Sequence, residues 1–423
     1  MMSGEPIRFI HAADLHLEQS MSGMGSVPDS LRSSLIEAPF SAARRVFESA
    51  RLERVDFVVL SGDILHPQEA GPAGLCFLID QLEQLAAAQI PVYWAGGRID
   101  RFHQWPKAAA LPETVYRSAS RDVRTHPFYR GGQVAALIHV TGYQGRGAID
   151  PACLSGEAHA APVIGVAYGD LKPVKLAKKP VNYWALGGRH QSVSEEFDGK
   201  LVHYPGTPQG RSPAEFGSHG CTLVEIDGES RIETQFIECD AVQWRRLEFR
   251  LTASTSRRKM ERHIVELTKD LLAQQRNQPQ LIQWAIGGTD RVSWTSPSVA
   301  NEVLTMLRQR FESSSADLWV TGVEFIYPEE FPQPVLEKET IAGDFFEIVQ
   351  QLRDGQAWPA VLREELSQYP LINDVIGSQV VQTKQDRETL LRLVARLGLN
   401  LLGAEESLPE QEAQQRQALR EAS

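Results

Sequence analysis

A chain of 423 residues, 42% of them hydrophobic, exceeds what one hydrophobic core organises, since single cores stop growing at roughly 250 to 300 residues, so two or three domains are expected. The net charge of −11 argues against a chain-wide electrostatic hold on nucleic acid, which needs Lys and Arg to displace counterions, yet allows a local basic groove or a metal that supplies positive charge to a phosphate. The four cysteines, Cys76, Cys153, Cys221 and Cys239, form no Cys-x-x-Cys pair, which speaks against a zinc knuckle or disulfide framework and fits a reducing cytoplasm.

The N-terminal residues lead straight into a strand-like segment, without a basic n-region and apolar h-region, and no run of about 18 apolar residues follows, so neither export nor a membrane span is expected. Residues 7–12, 55–61 and 90–95 are short, apolar, β-rich runs ending in turns that contain Gly or Asp. They read as buried parallel strands. Between them, Ala42, Ala43, Val46, Phe47 and Ala50, then Leu75, Leu78, Leu82 and Leu85, fall at helical spacing. In such a β-α-β-α-β layout ligands gather at the carboxyl ends of the strands. Asp14, His16, Asp63 and Asp100 all lie at or just past such ends. Residues 163–167, 183–186, 201–204 and 222–226 predict a second sheet. Past Trp244 the pattern changes to strands over 247–251, 281–286 and 319–326 with a helix over 259–274, a small α+β module. A Pro-rich linker over 327–335 leads into a helical region with stripes at Phe346, Val349 and Leu352 and at Leu390, Leu393, Val394 and Leu397. Such stripes pack on their own domain more often than they dock a partner. From Pro409 the chain is polar and expected to fray. The domains are thus 1–240, 241–328 and 336–423, with no internal repeat.

Asp14 and His16 stand two residues apart at a strand end, so their side chains can converge on one point. An aspartate with an imidazole suits manganese, iron or zinc rather than calcium or magnesium, which favour all-oxygen shells. Asp63 follows a glycine that permits a tight turn and could bridge two ions; paired metals roughly 3.5 to 4 Å apart hold an attacking water and a scissile phosphate together. Plainer readings stand beside these. Asp14 and His16 could be a hydrogen-bonded pair, His66 a turn cap, Arg98 a solvent-facing loop residue and Arg189 a surface residue. Tyr168 and Ile99 fill space, Asp100 braces its loop, and His11, His103, His139 and His159 are structural.

Four segments then resemble a known family: Phe9-Ile10-His11-Ala12-Ala13-Asp14-Leu15-His16-Leu17, Gly62-Asp63-Ile64-Leu65-His66, Tyr183-Trp184-Ala185-Leu186-Gly187 and Tyr204-Pro205-Gly206-Thr207-Pro208-Gln209-Gly210-Arg211. They resemble, in order, the motifs of the calcineurin-like metallophosphoesterases, and within these the SbcD-type DNA-repair exonucleases, across most of residues 7–245. The resemblance implies an α/β fold, a four-layer αββα sandwich with a small α+β capping domain and a helical C-terminal tail. It implies a first metal, Mn²⁺ by expectation, held by Asp14, His16, Asp63 and His190, all present. The second metal's asparagine and two histidines are replaced by Arg98, Tyr168 and Gly188, and the family's catalytic histidine by Ile99, close to which His66 would lie. The losses gather at one site, which independent accidents would rarely do. A one-metal site is therefore expected, with the Arg98 guanidinium in the space of the absent ion, binding phosphate bidentately. The implied activity is metal-dependent hydrolysis of DNA phosphodiesters, weakened or lost. The alternative is a non-catalytic subunit that binds DNA ends or a coiled-coil ATPase of the SbcC type at the C-terminal helices; a homodimer is also open.

Overall fold

The computed structural model describes residues 5–100, 102–118, 122–143, 160–169, 173–252, 254–274, 278–288, 297–314, 316–326 and 341–354, together with Thr295, Leu391, Val394, Ala395 and Gly398. The chain divides into two compact units. One comprises Met1–Leu247, Val265–Trp284 and Leu304–Val323; the other comprises Glu248–Ile264, Ala285–Val303 and Glu324–Ser423.

The first unit begins with β1 (Ile7–Ala12), α1 (Asp29–Leu52), β2 (Phe57–Leu60), α2 (Gly71–Ala87), β3 (Val92–Ala95) and β4 (Val115–Ser118). Then come β5 (Arg124–Arg130), β6 (Gln133–Val140), β7 (Val163–Tyr168), α3 (Pro173–Ala177), β8 (Tyr183–Gly187), β9 (Val193–Phe197), β10 (Lys200–Tyr204), β11 (Gly220–Ile226) and β12 (Ile232–Glu238). Two six-stranded sheets result, ordered β12-β11-β1-β2-β3-β4 and β5-β6-β7-β8-β10-β9. As the apolar runs predict, β1, β2 and β3 are parallel neighbours.

Strict alternation along these strands builds the layers. Phe9, Phe57, Val59, Tyr93 and Ala95 point to one face and meet Ile138, Ile164, Val166, Tyr183 and Ala185 of the other sheet. Ile10, Val58, Leu60, Val92 and Trp94 point the opposite way, under Val46, Phe47, Leu78 and Leu82 of α1 and α2. On the outside of the second sheet, Trp184, Leu186 and Val202 pack with Leu176 of α3. These four layers are the α/β sandwich that the resemblance implies. Phe9 stacks on Phe57 at 5.0 Å between ring centres and meets Tyr183 edge-on at 5.3 Å, tying the sheets together. Truncating such a ring to alanine costs about 3–5 kcal/mol. The helix α2 starts with Gly71 and a proline in its first turn, buries Leu75, Leu78, Leu82 and Leu85, and stops where Gln89 turns left-handed at φ 59°.

One expectation is corrected. The 222–226 strand, expected in the second sheet, is β11 of the first, antiparallel to β1 with Phe9 opposite Val224. Val224 and Ile226 enter the layer between the sheets, while Cys221 and Leu223 lie under the helices. A strand covered on both faces lacks the polar alternation that would reveal its sheet.

Three later strands, β13 (Gln243–Arg250), β14 (Gln280–Gly287) and β15 (Leu318–Ile326), form a small sheet in that order, with α4 (Arg257–Ala273) and α5 (Pro297–Arg310) between them in sequence. The helix α6 (Ile341–Asp354) buries Phe346, Val349 and Leu352 and exposes Ile341 and Ile348. The 327–335 linker, the tail from Pro409, and Leu390, Leu393 and Leu397 lie outside the described residues. No described helix is long and apolar enough to cross a membrane.

Candidate metal centre

Parallel pairing aligns the ends of β1 and β2, with Ala12 opposite Leu60, and the ends of β7 and β8, with Tyr168 opposite Gly187. The loops beyond β1 and β2 are joined by the Asp14 amide donating to the Gly62 carbonyl at 2.9 Å and the His16 amide to that of Asp63 at 3.0 Å. Asp14, His16 and Asp63 all adopt left-handed backbone, at φ 53°, 44° and 51°. For a residue with a side chain that conformation costs on the order of 1–3 kcal/mol, and it is retained where surrounding structure enforces a functional geometry. Gly187 approaches so closely that a Cβ would lie 1.8 Å from the Ser61 carbonyl oxygen.

Asp14, His16 and His190 each offer one ligand atom, and these atoms lie within 4.8 Å of one another. The His16 and His190 rings are 5.3 Å apart and steeply inclined. Burial lowers the pKa of His16, so its imidazole is neutral. Its Nδ1 lies 3.0 Å from a Glu18 carboxylate oxygen and carries the proton, while Nε2 is buried with no hydrogen-bond partner among the described residues. Leaving such an atom unpaired costs about 1–3 kcal/mol. A cation would satisfy it, and the carboxylate bonded to the far nitrogen is the partner that fixes a metal-binding imidazole. Asp14 fits the same reading. Burial pushes its carboxyl up to about 7, despite an amide hydrogen bond from Gly188 at 2.9 Å, because the dry site offers too little positive charge. His190 Nδ1 lies 2.5 Å from a Glu215 oxygen. Burial alone would raise Glu215, but bonds from His190 and the Arg211 amide, with the Arg211 charge, hold it down at about 2. One carboxylate and two imidazoles fit a borderline divalent cation such as Mn²⁺, Fe²⁺ or Zn²⁺.

Asp63, the fourth expected ligand, borders this trio, with Oδ2 3.8 Å from His16 Nε2. Its Oδ1 accepts the Ile99 amide at 2.9 Å, and its Oδ2 accepts the hydroxyl of Tyr168. Burial, then the Asp63 charge, raises the Tyr168 pKa and keeps that hydroxyl a donor. Its ring lies against Gly62 and Gly188 and meets Tyr143 edge-on at 5.6 Å. Tyr168 therefore does more than fill space. Arg98 is exposed, and its charge reaches Tyr168 weakly, lowering that pKa against the larger opposing effects.

Asp100 braces the loop: its oxygens accept the amides of Ile64, Leu65 and Gly97 and the Trp94 indole N–H. His66 is buried in a turn, its Nδ1 accepting the Glu69 amide at 3.3 Å, while its own amide donates to Glu18. Arg189 lies over the Tyr204 ring at 4.6 Å. Glu18 and Glu215 belong to no motif, and Arg211 closes the fourth motif without a role read from it. Glu18 had a faint signal, standing two residues past His16 as His16 stands two past Asp14; Glu215 and Arg211 come from a distant turn.

No protein-family model matches the chain. Over 252 residues it is 29% identical to an uncharacterized metallophosphoesterase, YhaO, of Bacillus subtilis, covering 56% of this chain and 62% of that protein. Over 229 residues it is 24% identical to the DNA double-strand break repair protein Mre11 of Archaeoglobus fulgidus, covering 48% of this chain and 50% of that protein. The chain thus spans less than two thirds of the length of either curated relative. Among solved structures, a dimetal phosphatase from Danio rerio overlays at 12% identity and a TM-score of 0.33, covering 55% of this chain and 99% of that one. The chain whose strand-end loops gather Asp14, His16 and His190 is thus similar to one protein named a metallophosphoesterase and to one named for DNA double-strand break repair.

Proposed function

We propose that this protein is an SbcD-type phosphoesterase with a one-cation site, Mn²⁺ being the favoured ion, which binds DNA ends and hydrolyses their phosphodiesters slowly. The buried, unpartnered His16 Nε2 within reach of Asp14 and His190 carries the reading. The similarity to a protein named for double-strand break repair supports DNA as substrate. Asp14, His16 and His190 would hold the cation, which when bound polarises a phosphoryl oxygen and makes water more acidic. Asp63 borders it, oriented by Ile99 and Tyr168. The exposed Arg98 guanidinium offers an incoming phosphate two parallel N–H donors.

A second reading, a non-catalytic subunit that keeps the fold to hold DNA ends, is favoured by the Tyr168 hydroxyl, which engages the carboxylate oxygen a second cation would need. By resemblance its partner is a coiled-coil ATPase docking on the C-terminal helices, in the cytoplasm. The discriminating assay is Mn²⁺-dependent cleavage of linear DNA by wild type and Asp14→Ala. Cleavage lost in the variant establishes the enzyme. End binding without cleavage, with or without the ATPase, supports the scaffold, and absence of both sinks the two readings together.

A further inference from the structure

We propose that Glu215 is a positioning residue that selects the tautomer of His190, holding the proton on Nδ1 against a competing donor, Arg211, so that Nε2 is free for a cation. The inference rests on the one-cation reading for its consequence, though not for its geometry. Two groups face His190 Nδ1 and make opposite demands. A Glu215 carboxylate oxygen lies 2.5 Å away and can only accept, which requires Nδ1 to carry a hydrogen. The Arg211 guanidinium lies 3.3 Å away and can only donate, which requires Nδ1 to present a lone pair and moves the hydrogen to Nε2. The shorter contact wins, because a hydrogen bond to a charged acceptor weakens steeply with distance and the Glu215 contact is much the closer.

Glu215 is itself fixed. Its other oxygen accepts the Arg211 amide at 2.6 Å, and its backbone carbonyl is 3.0 Å from His219 Nε2. The guanidinium is tethered by Gln19 at 3.3 Å and is buried, so it cannot swing away into solvent. The turn carrying both residues thus supplies the competing donor and the acceptor that overrides it.

Glu215→Gln reverses the balance with almost no change of shape. The glutamine carbonyl must face the Arg211 amide, because only an oxygen can accept that bond. This turns its NH₂ toward His190 Nδ1, where the guanidinium also donates. With two donors on Nδ1 the proton belongs on Nε2, which closes that nitrogen to a cation.

The test is ¹⁵N-histidine NMR of the full chain without added metal, His190 being assigned by His190→Asn, alongside Mn²⁺ titration of the same proteins. Wild type should show protonated Nδ1 and bare Nε2 on His190. Glu215→Gln should show the reverse, leave the His16 signals in place and weaken Mn²⁺ binding by about 10–100-fold. If that variant does not reproduce the wild-type amide spectrum, Glu215→Ala, which removes the acceptor and leaves the Arg211 donor, is read in the same way. A wild-type His190 protonated on Nε2, or a tautomer unchanged in the variant, overturns the proposal. A wild type that shows the expected tautomers but binds no Mn²⁺ defeats the one-cation reading instead.

Discussion

The two sides of the pocket treat their polar atoms in opposite ways. On one side Asp14, His16 and His190 converge, and a buried imidazole nitrogen has no partner among the described residues. On the other, Asp63 is engaged at both oxygens, by Ile99 and Tyr168, and Gly188 presents no side chain. Proteins rarely leave buried polar atoms unpaired, so the bare His16 Nε2, beside the Asp14 carboxylate and His190, marks a place where something can bind. On this contrast rests the proposal of one cation site rather than two.

The largest effect should come from Asp14→Ala. Losing the carboxylate of the unsaturated side should weaken Mn²⁺ binding by about 100-fold or more in equilibrium dialysis, beyond what removal of a supporting residue costs. A small change would place the cation elsewhere.

Next comes a control that shows what a buried histidine looks like when nothing is missing. His203 bonds Ser194 at 2.7 Å and Thr222 at 2.8 Å, and its neighbour His11 bonds Tyr183 and Ser61. Burial lowers His203 to about 4 from 6.5. Between those values the unfolded chain takes up a proton that the fold refuses, so the contribution of His203 to stability is full above about pH 6.5 and falls toward pH 4 by up to about 3 kcal/mol, while the raised carboxyl of Asp14 works in the opposite direction. In denaturant unfolding across that range, the stability of wild type less that of His203→Gln should fall as the pH falls. Equal slopes in the two proteins would contradict the assignment.

Tyr168→Phe probes the saturated side. Removing a buried hydroxyl that donates to a carboxylate should lower stability by about 2 kcal/mol in denaturant unfolding, without abolishing Mn²⁺ binding. Loss of binding equal to that of Asp14→Ala would erase the distinction between the two sides.

The smallest effect belongs to Arg98→Ala. An exposed arginine should change stability by less than about 0.5 kcal/mol. DNA affinity should fall modestly, with the salt dependence shallower by about one phosphate contact. An unchanged salt slope would remove Arg98 from the DNA-facing surface.

The parallel strands β1, β2 and β3 and their loops could be read from sequence because their causes are local. The apolar runs Ile7–Ala12 and Phe57–Leu60, with a glycine before Asp63, set Asp14, His16 and Asp63 at neighbouring strand ends. The strands β5, β9 and β12 escaped because they are half exposed, and stretches such as Arg124–Arg130 and Val193–Phe197 mix polar and apolar residues that read as loop. The place of β11 beside β1 is a long-range choice that its residues do not encode by themselves. At the site, the candidate ligands stand in recognisable motifs, whereas Glu18 and Glu215, which face His16 and His190, do not. Glu215 lies 25 positions from His190, and Tyr168 lies 105 from Asp63. No periodicity links such pairs; only the meeting of loops from two sheets does.

Metal analysis of the purified protein, loaded with excess Mn²⁺ and then desalted, goes straight to the contrast between the two sides. One tightly held ion per chain in wild type and none in Asp14→Ala is the result expected here. Two ions per chain, or one that survives the loss of Asp14, would contradict it.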